Sequence, residues 1–329
     1  MEPPAAAPAF LERHGWAGAA IVPLAGDASF RRYFRVHDRG RTAVLMDAPP
    51  ALEDSRPFLF VGEFLLANGL SAPRLIAADL EAGLLLLEDF GDLRMGPLLA
   101  RAPQREEAVY ALAVDLLAAL HRVPPPLELK PYDREALLAE AMVFPDWYLR
   151  AAGVEVDREA YAAAWDAVWG DVVADTCERP VLTLRDYHAD NLMLLDDREG
   201  VRALGLLDFQ DALAGHRAYD LVSLLQDARR DVSPRLEADM LERFMAAGGV
   251  ADRERFRAAY EVLGAQRNVK ILGVFVRLRD RDGRRGYVEM LPRVWGLVER
   301  NLAHPALAPV KAWFDAHVPA RLRAAWCAA

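Results

Sequence analysis

"VLTLRDYHADNLMLL", residues 181–195, sets an apolar run on each side of a dense polar segment. Arg185, Asp186, His188, Asp190 and Asn191 crowd into the few positions between two stretches that belong in a core. Asp and Asn favour turns because their side chains hydrogen-bond nearby backbone, so the stretch alone reads as a surface turn between strands. The next stretch, "ALGLLDFQDALAGHRAYDLVSLL" (203–225), changes that reading. Strands expected at 181–184, 191–195 and 203–207 put Asp186 and Asn191 at the two ends of one loop and Asp208 at the end of the following strand. Three oxygen-bearing side chains then converge at the rim of a small sheet.

Phosphoryl transfer needs that equipment. One carboxylate orients or deprotonates the attacking hydroxyl, and hard oxygen ligands hold Mg²⁺ on the nucleotide phosphates. In kinases the catalytic Asp is followed five residues on by an Asn, and a strand-terminal Asp-Phe-Gly comes downstream. Asp186 and Asn191 keep that spacing, and Asp208-Phe209-Gln210 stands where Asp-Phe-Gly would.

Working outward, residues 19–47 read as three strands broken by Gly26-Asp27-Ala28-Ser29 and by Asp38-Arg39-Gly40, both turn sequences. A helix is expected after Pro57, ending at Asn68-Gly69, followed by two strands around Glu81-Ala82-Gly83. Residues 105–121, 134–150 and 157–174 carry helical periodicity, and from 217 onward helices are expected with breaks near Ser233-Pro234, Gly248-Gly249, Asp282-Gly283 and His304-Pro305. The chain is therefore expected to be α+β, with a small β-rich lobe at 1–90 and a large, mainly helical lobe at 91–329 that carries the loop.

Composition narrows the classes. With 53% apolar and 27% charged residues the chain is a folded globular protein, and no run is long enough to cross a bilayer. The first residues lack the basic and apolar regions of a signal peptide, so a cytoplasmic protein is expected. The net charge of −9 disfavours a nucleic-acid partner. Cys177 and Cys327 have no spacing that closes a zinc site or a disulfide framework.

On Asp186, His188, Asn191 and Asp208 the sequence resembles the aminoglycoside phosphotransferase superfamily, the small-molecule relatives of protein kinases. It departs from that family's His-Gly-Asp in reading Leu184-Arg185-Asp186. The stretches "GDASFRRYFRV" (26–36), "GLLLLEDFGD" (83–92), "LLDFQDALAGHRAYDLVSLLQDAR" (206–229) and "LPRVWGLVERNLAHPALAPVKAWF" (291–314) look like the bacterial anomeric amino-sugar kinases. The resemblance implies a protein-kinase-like two-lobe fold, ATP and Mg²⁺ as cofactors, and a sugar of the N-acetylmuramate or N-acetylglucosamine kind, phosphorylated at C1 during cell-wall recycling. It implies Asp186 as the base, Asn191 and Asp208 as metal ligands, and Asp220 as a residue bracing the loop; a plain helix cap at Asp220 predicts the same location.

On the nucleotide side, Gly26, Asp27, Ala28, Ser29 and Phe30 would form the hairpin loop over the phosphates, and backbone groups around Leu87, Glu88 and Asp89 the hinge that meets the adenine edge. The strand lysine of protein kinases is missing: only three of the 40 basic side chains are lysines, none before Lys130, and the corresponding strand reads Ala43-Val44-Leu45-Met46. Strand alternation groups Arg32 with Phe34 and Val36. Arg32 then either contacts the phosphates in place of the lysine or packs its stem on the hairpin with its head in solvent. Glu63, the counterpart of the kinase helix glutamate, has no lysine to hold and reads as a solvated residue.

For the acceptor, His188, Asp190, Gln210, Asp211 and Arg217 offer the planar polar groups that a sugar asks for. Asp211 is alternatively a second metal or bracing group, and Asp190 a turn former. The tryptophans at 147, 165, 169, 295 and 313 read as core, and the arginines from 277 to 285 as a solvated charge run. Two other readings stay open: a kinase of another small acceptor such as an aminoglycoside, choline or homoserine, and a nucleotide-binding pseudokinase.

Overall fold

The computed structural model describes residues 1–24 and 30–324. In chain order the elements are helix α1 (Ala7–Arg13), strands β1 (Ala20–Pro23), β2 (Arg32–Asp38) and β3 (Arg41–Asp47), helix α2 (Arg56–Ala67), strands β4 (Leu75–Asp79) and β5 (Leu84–Glu88), and helices α3 (Met95–Arg101) and α4 (Glu106–Leu120). Then come α5 (Arg134–Ala141), α6 (Arg158–Asp166), α7 (Gly170–Glu178), β6 (Val181–Thr183), β7 (Leu192–Leu194), β8 (Leu204–Leu206) and β9 (Leu213–Gly215). Helices α8 (Tyr219–Leu225), α9 (Pro234–Ala247), α10 (Arg253–Asp280), α11 (Leu291–Leu302), α12 (Ala308–His317) and α13 (Ala320–Ala324) complete the chain. Among the described residues no helix is long and apolar enough to cross a membrane.

The chain divides into two compact units, 1–104 with 190–211, and 105–189 with 212–329. The expected division at residue 90 follows the sequence in one cut. The observed one differs because α3 and the β7–β8 hairpin both join the first unit.

The first unit is built on an antiparallel sheet in the order β1-β2-β3-β5-β4. Arg39 and Gly40, both at positive φ, make the tight β2–β3 turn. Gly83 is required between β4 and β5, since a Cβ there would lie 2.2 Å from the carbonyl oxygen of Ala48. One sheet face carries Phe34, Val36, Ala43, Leu45, Leu84 and Leu86 and is sealed by Phe10 and Leu11 of α1 and by Trp16. That short first helix was not expected, because the Pro/Ala-rich start carries too few apolar positions to show a period. The opposite face is set by the pairs Tyr33↔Met46, Arg35↔Val44 and Met46↔Leu85. The β7–β8 hairpin is tied into this unit where Leu206 N–H donates to Ser71 O (2.8 Å) and Leu194 N–H to Leu93 O (2.8 Å).

The second unit packs around α10, whose neighbours include α5, α8 and α11. Apolar residues occur all around α10, as in a helix covered on several sides. Trp165, Trp169, Trp295 and Trp313 are buried, in line with their reading as core, whereas Trp147 is only half-buried. The expected helix at 157–174 is two helices, parted at 167–169. The breaks expected near Ser233-Pro234, Gly248 and Asp282-Gly283 fall at the observed ends of α9 and α10.

Candidate active site

In the first unit, Asp208 ends the segment after β8 and holds φ at +58°, a left-handed conformation that Asp tolerates better than most residues. Its neighbour Phe209 is buried and stacks on Phe58 of α2, ring centroids 4.9 Å apart. Gly62, one helical turn on, faces the same ring: a Cβ there would lie 3.5 Å from Phe209, an ordinary packing contact. Helix α2 therefore fixes the turn that presents the Asp208 carboxylate. Asn191 stands 3.5 Å from Asp208 Oδ2, and Gln210 Nε2 donates to Asp208 Oδ1 (2.8 Å) and lies 3.4 Å from Asp211 Oδ2. Asn191, Asp208, Gln210 and Asp211 thus come together.

The Asn191–Asp208 contact runs from Asn191 Nδ2, and the amide and the carboxylate between them carry hard oxygen atoms. No cluster of three or more His, Cys, Asp or Glu side chains suited to a metal occurs among the described residues. Hard oxygens of this kind are what Mg²⁺ takes, commonly one or two from the protein together with the substrate's phosphates and waters.

The hinge side chains are committed to protein partners. Glu88 accepts from Arg74 (3.1 Å) and pairs with Arg198, and Asp89 pairs with Arg35 (2.8 Å). Leu87 is buried on β5. Their backbone is engaged as well: Leu87 pairs with Val44 of β3, and Glu88 N–H donates to Arg74 O (2.9 Å). Phe30 is exposed, whereas Gly26, Asp27, Ala28 and Ser29 lie outside the described residues.

Arg32 takes a partner other than the expected one. It sits directly opposite Asp47 in the β2–β3 register, and its Nε donates to the buried Asp47 carboxylate at 2.7 Å. Alternation puts it on the α1 face with Phe34, whereas Met46, at the kinase lysine position, pairs with Tyr33 on the other face. Glu63 is exposed.

In the second unit the loop that carries Asp186 is held by α8. Asp220, in the first turn of α8, accepts from the backbone N–H groups of Leu184 (2.7 Å) and Arg185 (2.8 Å). It makes no cap to its own helix. Bracing rather than capping is therefore its role. Arg185 holds φ at +71°, and its side chain pairs with Glu140 of α5. Glu140 also accepts from Lys270 Nζ (2.7 Å) and from the Tyr132 hydroxyl. Burial works to raise the Glu140 carboxyl, but Lys270 and Arg185 hold it down to about 2.

The same basic neighbourhood acts on Asp186. Burial works to raise its carboxyl, and the charges of Lys270 and Arg267 outweigh that, so it titrates below the ordinary Asp value and is ionised at neutral pH. Burial, with the nearby Arg229, lowers His188 to about 3, leaving a neutral imidazole. Arg217 is engaged elsewhere: it donates to Gly248 O (2.7 Å) and lies over the rings of Phe244 and Phe256. Asp190 is half-buried at the point where the chain passes from one unit to the other.

Sequence reasoning missed Glu140, Lys270 and Arg267, which lie on other helices far along the chain, where no local pattern marks them. It also passed over Arg31, for which a signal existed: pairing Met46 with Tyr33 singles out the strand face of Tyr33 and Arg35, not that of Arg32.

This fold and donor set define a kinase-like phosphotransferase, and the comparisons agree. The model of the phosphotransferase enzyme family matches residues 20–260, and the chain belongs to that family. It is 39% identical to an N-acetylmuramate/N-acetylglucosamine kinase of Caulobacter vibrioides, over 97% of this chain and 98% of that protein. It is 38% identical to a protein of the same name from Pseudomonas aeruginosa, over 92% of this chain and 90% of that one. Among solved structures, choline kinase LicA from Streptococcus pneumoniae superposes with a TM-score of 0.62 at 11% identity, covering 91% of this chain and 98% of that one, which speaks to the fold alone.

Proposed function

We propose that this chain is an ATP-dependent amino-sugar kinase that phosphorylates the anomeric C1 hydroxyl of N-acetylmuramate, N-acetylglucosamine or both, as a cytoplasmic step of peptidoglycan recycling. The observation that carries this reading is the 39% identity over 97% of the chain to a kinase named for those two sugars. In support, the chain keeps the residues the reaction needs. Asp186, ionised at neutral pH, accepts the proton of the attacking hydroxyl. Asn191 and Asp208 would hold Mg²⁺, which neutralises charge on the transferring phosphoryl group. The hinge backbone at 87–89 positions the adenine. His188, neutral and buried, is suited to hydrogen-bonding a sugar hydroxyl rather than to attracting an anion.

The test is a panel of N-acetylmuramate, N-acetylglucosamine, glucose, kanamycin and choline with Mg-ATP, followed by detection of phosphorylated product. The two acetamido sugars are expected to give a 1-phosphate, and Asp186→Ala to lower kcat by about 10²- to 10⁴-fold. Turnover of kanamycin or choline alone would replace the sugar assignment, and retention of full activity by Asp186→Ala would remove the assigned base.

A further inference from the structure

The lysine that kinases place on the third strand has no counterpart in "AVLM" (43–46), and Arg32 is spent on Asp47. A cation is nonetheless present at the site. Arg31, just before β2, is buried to 8% exposure. Its Nη2 lies 3.8 Å from Asp208 Oδ1 and its Nε 3.9 Å from Glu53 Oε1. A guanidinium taken out of water needs negative charge around it. Arg31 is also next in line after the segment expected to cover the phosphates, and it stands beside the carboxylate expected to hold the metal.

We infer that Arg31 is the nucleotide-phosphate cation of this enzyme, standing in for the missing strand lysine, with Glu53 as its orienting carboxylate. The arrangement repeats the kinase logic with different parts. In protein kinases a strand lysine is held by a helix glutamate while it binds the α- and β-phosphates. Here the cation comes from the entry to β2, and the carboxylate from the segment just before α2 rather than from Glu63 within it. A planar guanidinium binds two phosphate oxygens at once, which an ammonium does not. The proposal rests on the kinase reading above for its nucleotide but is independent of which sugar is the acceptor.

The test measures MgADP affinity by calorimetry and the Michaelis constants for ATP and sugar in the wild type, Arg31→Ala and Arg31→Lys, with thermal melts to confirm folding. Arg31→Ala is expected to weaken MgADP binding and raise the KM for ATP at least 10-fold while the KM for the sugar moves less than twofold. Arg31→Lys should recover part of the loss. If Arg31 only steadies Asp208, kcat and the Mg²⁺ requirement change while the KM for ATP at saturating Mg²⁺ does not, and the assignment is overturned. Equal MgADP binding by wild type and Arg31→Ala overturns it as well. A folded wild type that binds no nucleotide at all would overturn the kinase reading together with it.

Discussion

Arg185 shows what one residue costs and how the cost is met. The related His-Gly-Asp pattern has glycine at this position, and the φ of +71° gives the reason: only glycine adopts that backbone freely. An arginine there is strained, of order 1–3 kcal/mol for such conformations. It is held by Asp220 on its backbone N–H and by Glu140 on its guanidinium. The substitution was plain in the sequence, but its compensation was not, because Glu140 lies 45 residues before Arg185 and 130 before Lys270. Glu140→Ala would take away the carboxylate with which both Arg185 and Lys270 pair. Breaking a buried ion pair from one side costs about 3–5 kcal/mol, so urea unfolding of Glu140→Ala should show a loss of that size and Glu140→Gln a smaller one. A loss under about 1 kcal/mol would mean that Arg185 and Lys270 find other partners.

Among the elements, α8 governs the loop that carries Asp186. Its helical pattern was legible, but Asp220 stood between bracing the loop and capping its own helix until the structure gave the two hydrogen bonds to the chain after β6. Burial raises the Asp220 carboxyl to about 7, against the pull of those two N–H donors, which favour the ionised form. The sign for stability follows from the two states. The unfolded group titrates near its ordinary ~3.9, so the folded state binds the extra proton between about 4 and 7. The stability this group contributes is full below about 4 and is lost as pH rises to 7. Activity should run the other way, since a protonated carboxyl cannot accept both N–H groups. The rate at saturating substrates is expected to climb through about pH 7, while Asp186 and His188, both lowered, add no step in that range. Asp220→Asn should lower kcat at least 10-fold and remove that limb from the pH profile. An unchanged limb in the variant would assign the step to another group.

For the whole molecule, the sequence reading correctly separated a β-rich beginning from a helical remainder but drew one boundary where the fold has three. The first unit ends at 104, and the segment 190–211 returns to it from the middle of the helical part. Such a return is invisible to local pattern, because β7 and β8 read as strands wherever they pack. Their attachments are specific: Ser71 Oγ donates to Arg202 O at 2.7 Å, Leu206 N–H to Ser71 O, and Leu194 N–H to Leu93 O. Their side chains Leu192, Leu194, Leu204 and Leu206 are all buried. A fragment of residues 1–104 would expose the backbone groups and the apolar surface that the hairpin covers, and unpaired polar groups at a formerly buried edge cost about 1–3 kcal/mol each. Against a domain stability of about 5–15 kcal/mol, several such losses are decisive. Residues 1–104 alone are therefore expected to show no cooperative thermal transition. The same fragment carrying 190–211 on a flexible linker should regain one, together with the Asn191 and Asp208 pair. Cooperative unfolding of 1–104 alone would mean that the hairpin is an addition to an already complete unit, and that the Asn191–Asp208 pair is separable in folding from the sheet of the first unit.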